Sequence, residues 1–162
     1  MNKYNLLVAL CSVGFIYMLT KQQTYVPPNV RNNNPLNIRI GNDWDGERER
    51  DIEKGYEEFI TPAFGFRAGY KLLMTYKHKY KRYTIDRIIK RWAPKNGKHN
   101  GKTYVNHTEN YIKFVSSRTG LNRHDVVPEY VYPELMLAMA DFEGAKGAFN
   151  LNQAREGVAL AV

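Results

Sequence analysis

The feature that most constrains this chain is an uncharged apolar run, Leu6 to Thr20, which reads LLVALCSVGFIYMLT between Lys3 and Lys21. It is hydrophobic all round, so it has no polar face to turn toward water and does not suit a surface helix. At about 1.5 Å per residue it covers only part of a ~30 Å hydrocarbon layer. Tyr4, Asn5 and the snorkelling stems of the two lysines extend it to a short span. A cleaved signal would need small residues before the cut, and Tyr17, Met18, Leu19 and Thr20 do not supply them. The run therefore predicts an uncleaved membrane anchor over residues 1–21, meeting lipid through residues 4–20. Lysines on both sides leave its orientation open. Cys11 follows Leu10 rather than a small residue, which argues against lipidation. As the single cysteine it can form neither an internal disulfide nor a zinc site.

Setting that run aside leaves roughly 130 residues, an ordinary size for one domain. Residues 22–30 read as a polar linker broken by Pro27 and Pro28, and residues 31–162 as the folded domain. Between Arg31 and Phe59, Asn and Gly punctuate short apolar stretches, so turns and a small irregular hairpin are expected there. Half of the 16 acidic residues fall between Asp43 and Glu58. Their alternation with Arg48, Arg50 and Ile52 reads as a salt-bridged hairpin.

From Ala63 the pattern turns helical. Leu72, Tyr76, Tyr80 and Tyr83 recur at helical spacing, with Gly65 and Gly69 weakening the first turns. Thr84 can cap a second helix with apolar positions Ile85, Ile88, Ile89 and Trp92, ended by Pro94. Residues 95–107 read as a polar loop. Thr108 opens a third helix that Gly120 stops, and Pro133 suits the first turn of a fourth, running to Phe142 or Glu143 before Gly144. Asn152 can cap a last short helix. The fold class expected is mainly α (α+β), with a small hairpin and an N-terminal transmembrane helix.

The formal net charge is +8. Nine Arg and Lys residues from Arg67 to Arg91 face a single acid, Asp86. Such a surface favours polyanions: nucleic acid, acidic headgroups or anionic wall polymer. The interleaved aromatics fall mostly on apolar stripes, which core packing explains, and no nucleic-acid motif accompanies them, so nucleic acid is not the expected partner. His78, His99, His107 and His124 show no metal-ligand spacing, so no metal is expected. No nucleotide or dinucleotide fingerprint appears and no cofactor is expected.

Carboxylates remain as candidate chemistry. Cleaving a glycosidic bond needs a carboxylic acid kept protonated near neutral pH, and burial does this. On a helix through 134–143, Glu143 shares its face with Met136, Met139 and Ala140, at i−7, i−4 and i−3. It also sits at a helix C-terminus, where the macrodipole disfavours negative charge. The plainer reading is an exposed helix-end glutamate. Among the acids of 43–58, Glu57, Glu58 or another could lie across a cleft from Glu143, and a hydrolase of the kind the resemblance below implies would use Glu58 or Asp45 as its second carboxylate.

One resemblance joins these pieces. The order Asn33-Asn34-Pro35-Leu36-Asn37-Ile38-Arg39, Trp44-Asp45-Gly46, Tyr56-Glu57-Glu58-Phe59, Gly65-Phe66-Arg67-Ala68, Thr84 to Trp92-Ala93-Pro94, Asn106-x-Thr108-x-x-Tyr111-Ile112 and Phe142-Glu143-Gly144 is similar to that of phage virion-associated, lysozyme-like proteins. These are lytic transglycosylase- or muramidase-type structural proteins. The likeness covers residues 31–160. Leu36 stands where that pattern has glycine, the Asn of E-N-G is absent, and KNGKHNGKTYV is inserted after R-W-A-P. Bacterial cell-wall glucosaminidases carry similar pieces with the glutamate helix first. A circularly permuted lysozyme-like fold would account for that, and it predicts Glu143 close to Asn34 and Asn37.

The resemblance implies a peptidoglycan-cleaving virion protein. Glu143 would be the general acid, then base, and Tyr111 and Asn37 would position the sugar. Asn34, Arg39, Arg67, Trp92 and Thr108 would complete the binding surface. It implies attachment to a virion internal membrane, or to the host inner membrane with the domain facing the periplasm, and other virion proteins as partners. The rival expectation is a non-enzymatic virion membrane protein built on the same scaffold.

Overall fold

The computed structural model describes residues 25–49, 55–99, 101–144 and 146–162. Helix α1 is one turn, Pro28–Arg31, within the stretch read as a linker, and its Asn29 is buried. Helix α2, Pro62–His78, starts from an extended Thr61 with proline in its first turn. It stops before Tyr80 and Tyr83, and Lys81 turns the chain with φ 55°. Its buried face is therefore Ala63, Phe66, Tyr70 and Leu73 with two glycines, not the expected tyrosine stripe.

Those glycines have a packing reason. A Cβ on Gly65 would lie 2.4 Å from the Asn33 carbonyl oxygen, and one on Gly69 would lie 2.2 Å from Leu36 Cδ1. The loop 33–36 thus lies directly on the backbone of α2. Leu36, fully buried, fills the notch that Gly69 leaves. Burial of such a side chain contributes about 1.5–3 kcal/mol, enough to offset glycine's helix penalty of about 1 kcal/mol.

Helix α3, Ile85–Trp92, is capped by Thr84, whose hydroxyl accepts from the Arg87 amide. Helix α4, Thr108–Thr119, ends on Gly120 in the left-handed conformation. A 3-10 turn, Glu129–Val131, leads into α5, Tyr132–Glu143. Helix α5 buries residues on every side, including Leu135, Met136, Met139 and Ala140, and so runs through the middle of the core. Helix α6, Leu151–Ala159, is closed by an Asn150–Gln153 capping box and packs on α2, where Gly157 approaches Ala63 and Phe66.

The sheet lies where a polar loop was expected. Strands β1, Asn96–His99, and β2, Lys102–Val105, pair antiparallel with Gly97 opposite Tyr104. In the stretch read as an irregular hairpin, antiparallel bridges join Arg39 to Tyr56 and Glu47 to Phe59, and residues 50–54 lie outside the described residues.

The expected architecture needs correction. The described residues are about half helical with this small two-stranded sheet. Among them no helix is long and apolar enough to cross a membrane. The anchor expected at residues 1–21 lies outside the described residues, so the structure does not support membrane attachment or a membrane-bound location.

Candidate functional site

Three distant segments converge on the last residue of α5. Asn37 comes from the loop before α2, Trp92 from the end of α3, and Tyr111 from the first turn of α4. All three place polar hydrogens on Glu143. Oε1 accepts from the Tyr111 hydroxyl at 3.0 Å and from the Trp92 indole at 3.2 Å. Oε2 lies 3.4 Å from the Asn37 amide nitrogen, which is also 3.2 Å from the Glu143 carbonyl oxygen. Asn37 therefore caps the C-terminus of α5 while touching its acid.

The loop geometry makes this possible. Asn37 has φ 49°, a left-handed conformation that asparagine tolerates better than most residues. Asn34, fully buried, holds it there. Its side chain accepts from the Ile38 amide at 2.8 Å and donates to the carbonyls of Ile38 and Glu57. Asn34 thus shapes the loop rather than facing the cleft. On the other side, Gly144 clears the way for Asn29, since a Cβ there would sit 2.2 Å from Asn29 Oδ1.

Burial pushes the Glu143 carboxyl above the usual range. The hydrogen bonds from Tyr111, Asn37 and Trp92 and the positive charge of Arg39 pull the other way without cancelling it. Tyr111 is buried with its ring stacked on Phe142 at 4.0 Å between centroids. Burial and the neighbouring carboxyl raise its pKa well above that of a free tyrosine, so it stays protonated. Its hydroxyl is also 3.3 Å from the Met139 carbonyl, an alternative acceptor for its one proton.

The other expected site residues divide. The Arg39 guanidinium lies over the Tyr56 ring at 4.9 Å and lines the cleft with Asn37, Trp92 and Glu143. The Thr108 hydroxyl donates to the Ala93 carbonyl at 2.6 Å, joining the end of α3 to the start of α4 and so fixing Trp92 relative to Tyr111. Arg67 donates to the Leu160 carbonyl and pairs with Asp45, so it belongs to the packing of α2. Glu58 pairs with Arg48 at 3.2 Å and lines a separate cavity. Neither Glu58 nor Asp45 lines the cleft at Glu143. Among the described residues no group of three or more His, Cys, Asp or Glu is placed to hold a metal.

Tyr104 and Asn106 line the cleft too, and sequence reasoning missed them. The Asn100-Gly101 pair, a common two-residue hairpin turn, was the available signal.

No family model matches the chain. It is 37% identical over 161 residues to Protein P5 of Pseudoalteromonas phage PM2, spanning 97% of this chain and 96% of that one. The chain belongs to the Protein P5 family. The likeness to the phage P5 protein runs through every segment that meets at Glu143, because it spans almost the whole chain.

Proposed function

We propose that this P5-family chain cleaves the glycan strands of peptidoglycan, with Glu143 as the acid–base group. The supporting observation is a buried carboxyl, on a half-buried residue at a cleft, with one oxygen tied to two donors and the other turned to a single weak contact. Oε1 meets two donors, Tyr111 and Trp92, against one longer contact from Asn37 on Oε2, so we assign Oε1 as the carbonyl oxygen and Oε2 as the oxygen that carries the acidic proton.

The reaction follows from that assignment. Oε2–H protonates the bridging oxygen as the bond from sugar C1 to that oxygen breaks. The strand leaves as an alcohol, and positive charge develops at C1 beside the new carboxylate. Among the described residues no second carboxylate lines the cleft at Glu143, and a hydrolase of the usual kind requires one. The sugar's own C6 hydroxyl closes on C1 instead, and Glu143 takes its proton. One bond is broken and one formed, the acid is regenerated, and the product is a 1,6-anhydro sugar. This is lytic transglycosylase chemistry. Arg39 and the net positive charge favour the anionic wall polymer.

A peptidoglycan zymogram of wild type beside Glu143→Gln tests the reading. Clearing by wild type and loss of clearing by a folded Glu143→Gln are expected. No clearing by folded wild type, or full clearing by the variant, overturns it.

A further inference from the structure

The hairpin β1–β2 is the inserted stretch after R-W-A-P, and three observations place it in the working surface. First, its position is fixed. The Asn106 amide donates to the Lys95 carbonyl at 2.9 Å and its side chain to the Pro94 carbonyl at 2.7 Å, clamping the hairpin base to the end of α3. Second, the outer end of the Tyr104 ring lies against Gly97 of the partner strand. A Cβ on Gly97 would sit 2.2 Å from Tyr104 Cζ, so only glycine lets the ring settle there. The ring remains 38% exposed and lines the cleft at Glu143. Third, Val105 is 71% exposed at the edge of a cavity that Glu143 also lines.

The hollows around the hairpin adjoin one another. The cavity at Glu143, about 120 Å³, shares Ala93 and Asn106 with a cavity of about 220 Å³ that Val105, Tyr111 and Phe142 line. That one shares Val105, Asn106 and His107 with a larger hollow of about 580 Å³ reaching Lys95. On the far side, Asn37, Arg39 and Trp92 are common to the Glu143 cavity and another of about 260 Å³. Glu143 thus stands within a row of adjoining hollows, with neighbours on both sides.

We propose that the hairpin is one wall of an extended saccharide groove, with Tyr104 as the platform for a sugar ring beside the cleaved bond and Val105 packing on an N-acetyl methyl. The occupant is a chain of N-acetylated sugars several units long. The C–H face of a pyranose is apolar and stacks on an aromatic ring, while its hydroxyls remain solvated at the rim. This rests on Glu143 as the reacting group for its register, but its test does not require turnover.

The test titrates the full chain carrying Glu143→Gln with the N-acetylglucosamine hexamer and dimer by calorimetry. The hexamer should bind at least about tenfold more tightly than the dimer, a factor equal to ~1.4 kcal/mol. Adding Tyr104→Ala should weaken the hexamer about tenfold and Tyr104→Phe should leave it unchanged. Val105→Asp, which leaves the Gly97 contact intact, should weaken it similarly. Tyr104-dependent binding without wild-type clearing would keep the groove and remove the reaction. Clearing that Tyr104→Ala and Val105→Asp leave unchanged, or hexamer binding no tighter than dimer binding, would overturn the groove.

Discussion

At Glu143 a buried carboxyl and its donors set both reactivity and stability. Its folded-state pKa is raised, so ionising it opposes folding. That stability is fully present below the usual glutamate value and is lost as pH rises through the raised one. Glu143→Gln keeps the neutral shape and cannot ionise. It should therefore melt higher than wild type at neutral pH, with the advantage shrinking toward pH 4. Scanning calorimetry across pH checks this, and a pH-independent difference would contradict it. Trp92→Phe removes a donor that favours the carboxylate, so the pKa should rise further. The alkaline limb of the pH–rate profile should then move to higher pH, and a shift to lower pH would contradict the assignment. Glu143 itself was readable from its spacing with Met136, Met139 and Ala140. Its partners came only through the resemblance, since Asn37 is 106 positions away and no local spacing signals a contact that exists only after folding. Trp92 lay on an apolar stripe, and its indole hydrogen bond leaves no trace in helical spacing.

Among the elements, α3, α4 and α5 follow their sequence signals because caps and breakers bound them: Thr84, Gly120 and Pro133. Helix α2 departs from its tyrosine stripe because the loop 33–36 selects the glycine face. Gly69→Ala should push Leu36 from its notch and destabilise the chain by about 1–3 kcal/mol, read as a lower denaturant midpoint. Unchanged stability would mean that Leu36 has room the structure does not show. The hairpin β1–β2 was hidden by its polar composition, since four-residue strands with lysine and histidine carry little alternation. The acidic stretch follows its alternating charges where it is described: Glu47 bridges Phe59 antiparallel and Arg48 pairs with Glu58 across that bridge, while Asp45 pairs with Arg67 of α2.

For the whole molecule, the charge of +8 acts at long range and sets no fold. Wall clearing should slow as salt rises from ~0.01 M to ~0.15 M, where the screening length falls from ~30 Å to ~8 Å. Clearing rates that ignore salt would remove electrostatic capture from the account. The central claim is that one carboxyl both gives and takes the proton, with the sugar itself as nucleophile. The most direct measurement is mass spectrometry of the soluble fragments released from purified peptidoglycan by the full chain. The account predicts 1,6-anhydro ends, lighter by one water than hydrolytic ends and absent with Glu143→Gln. Fragments with free reducing ends, carrying that water, would contradict it.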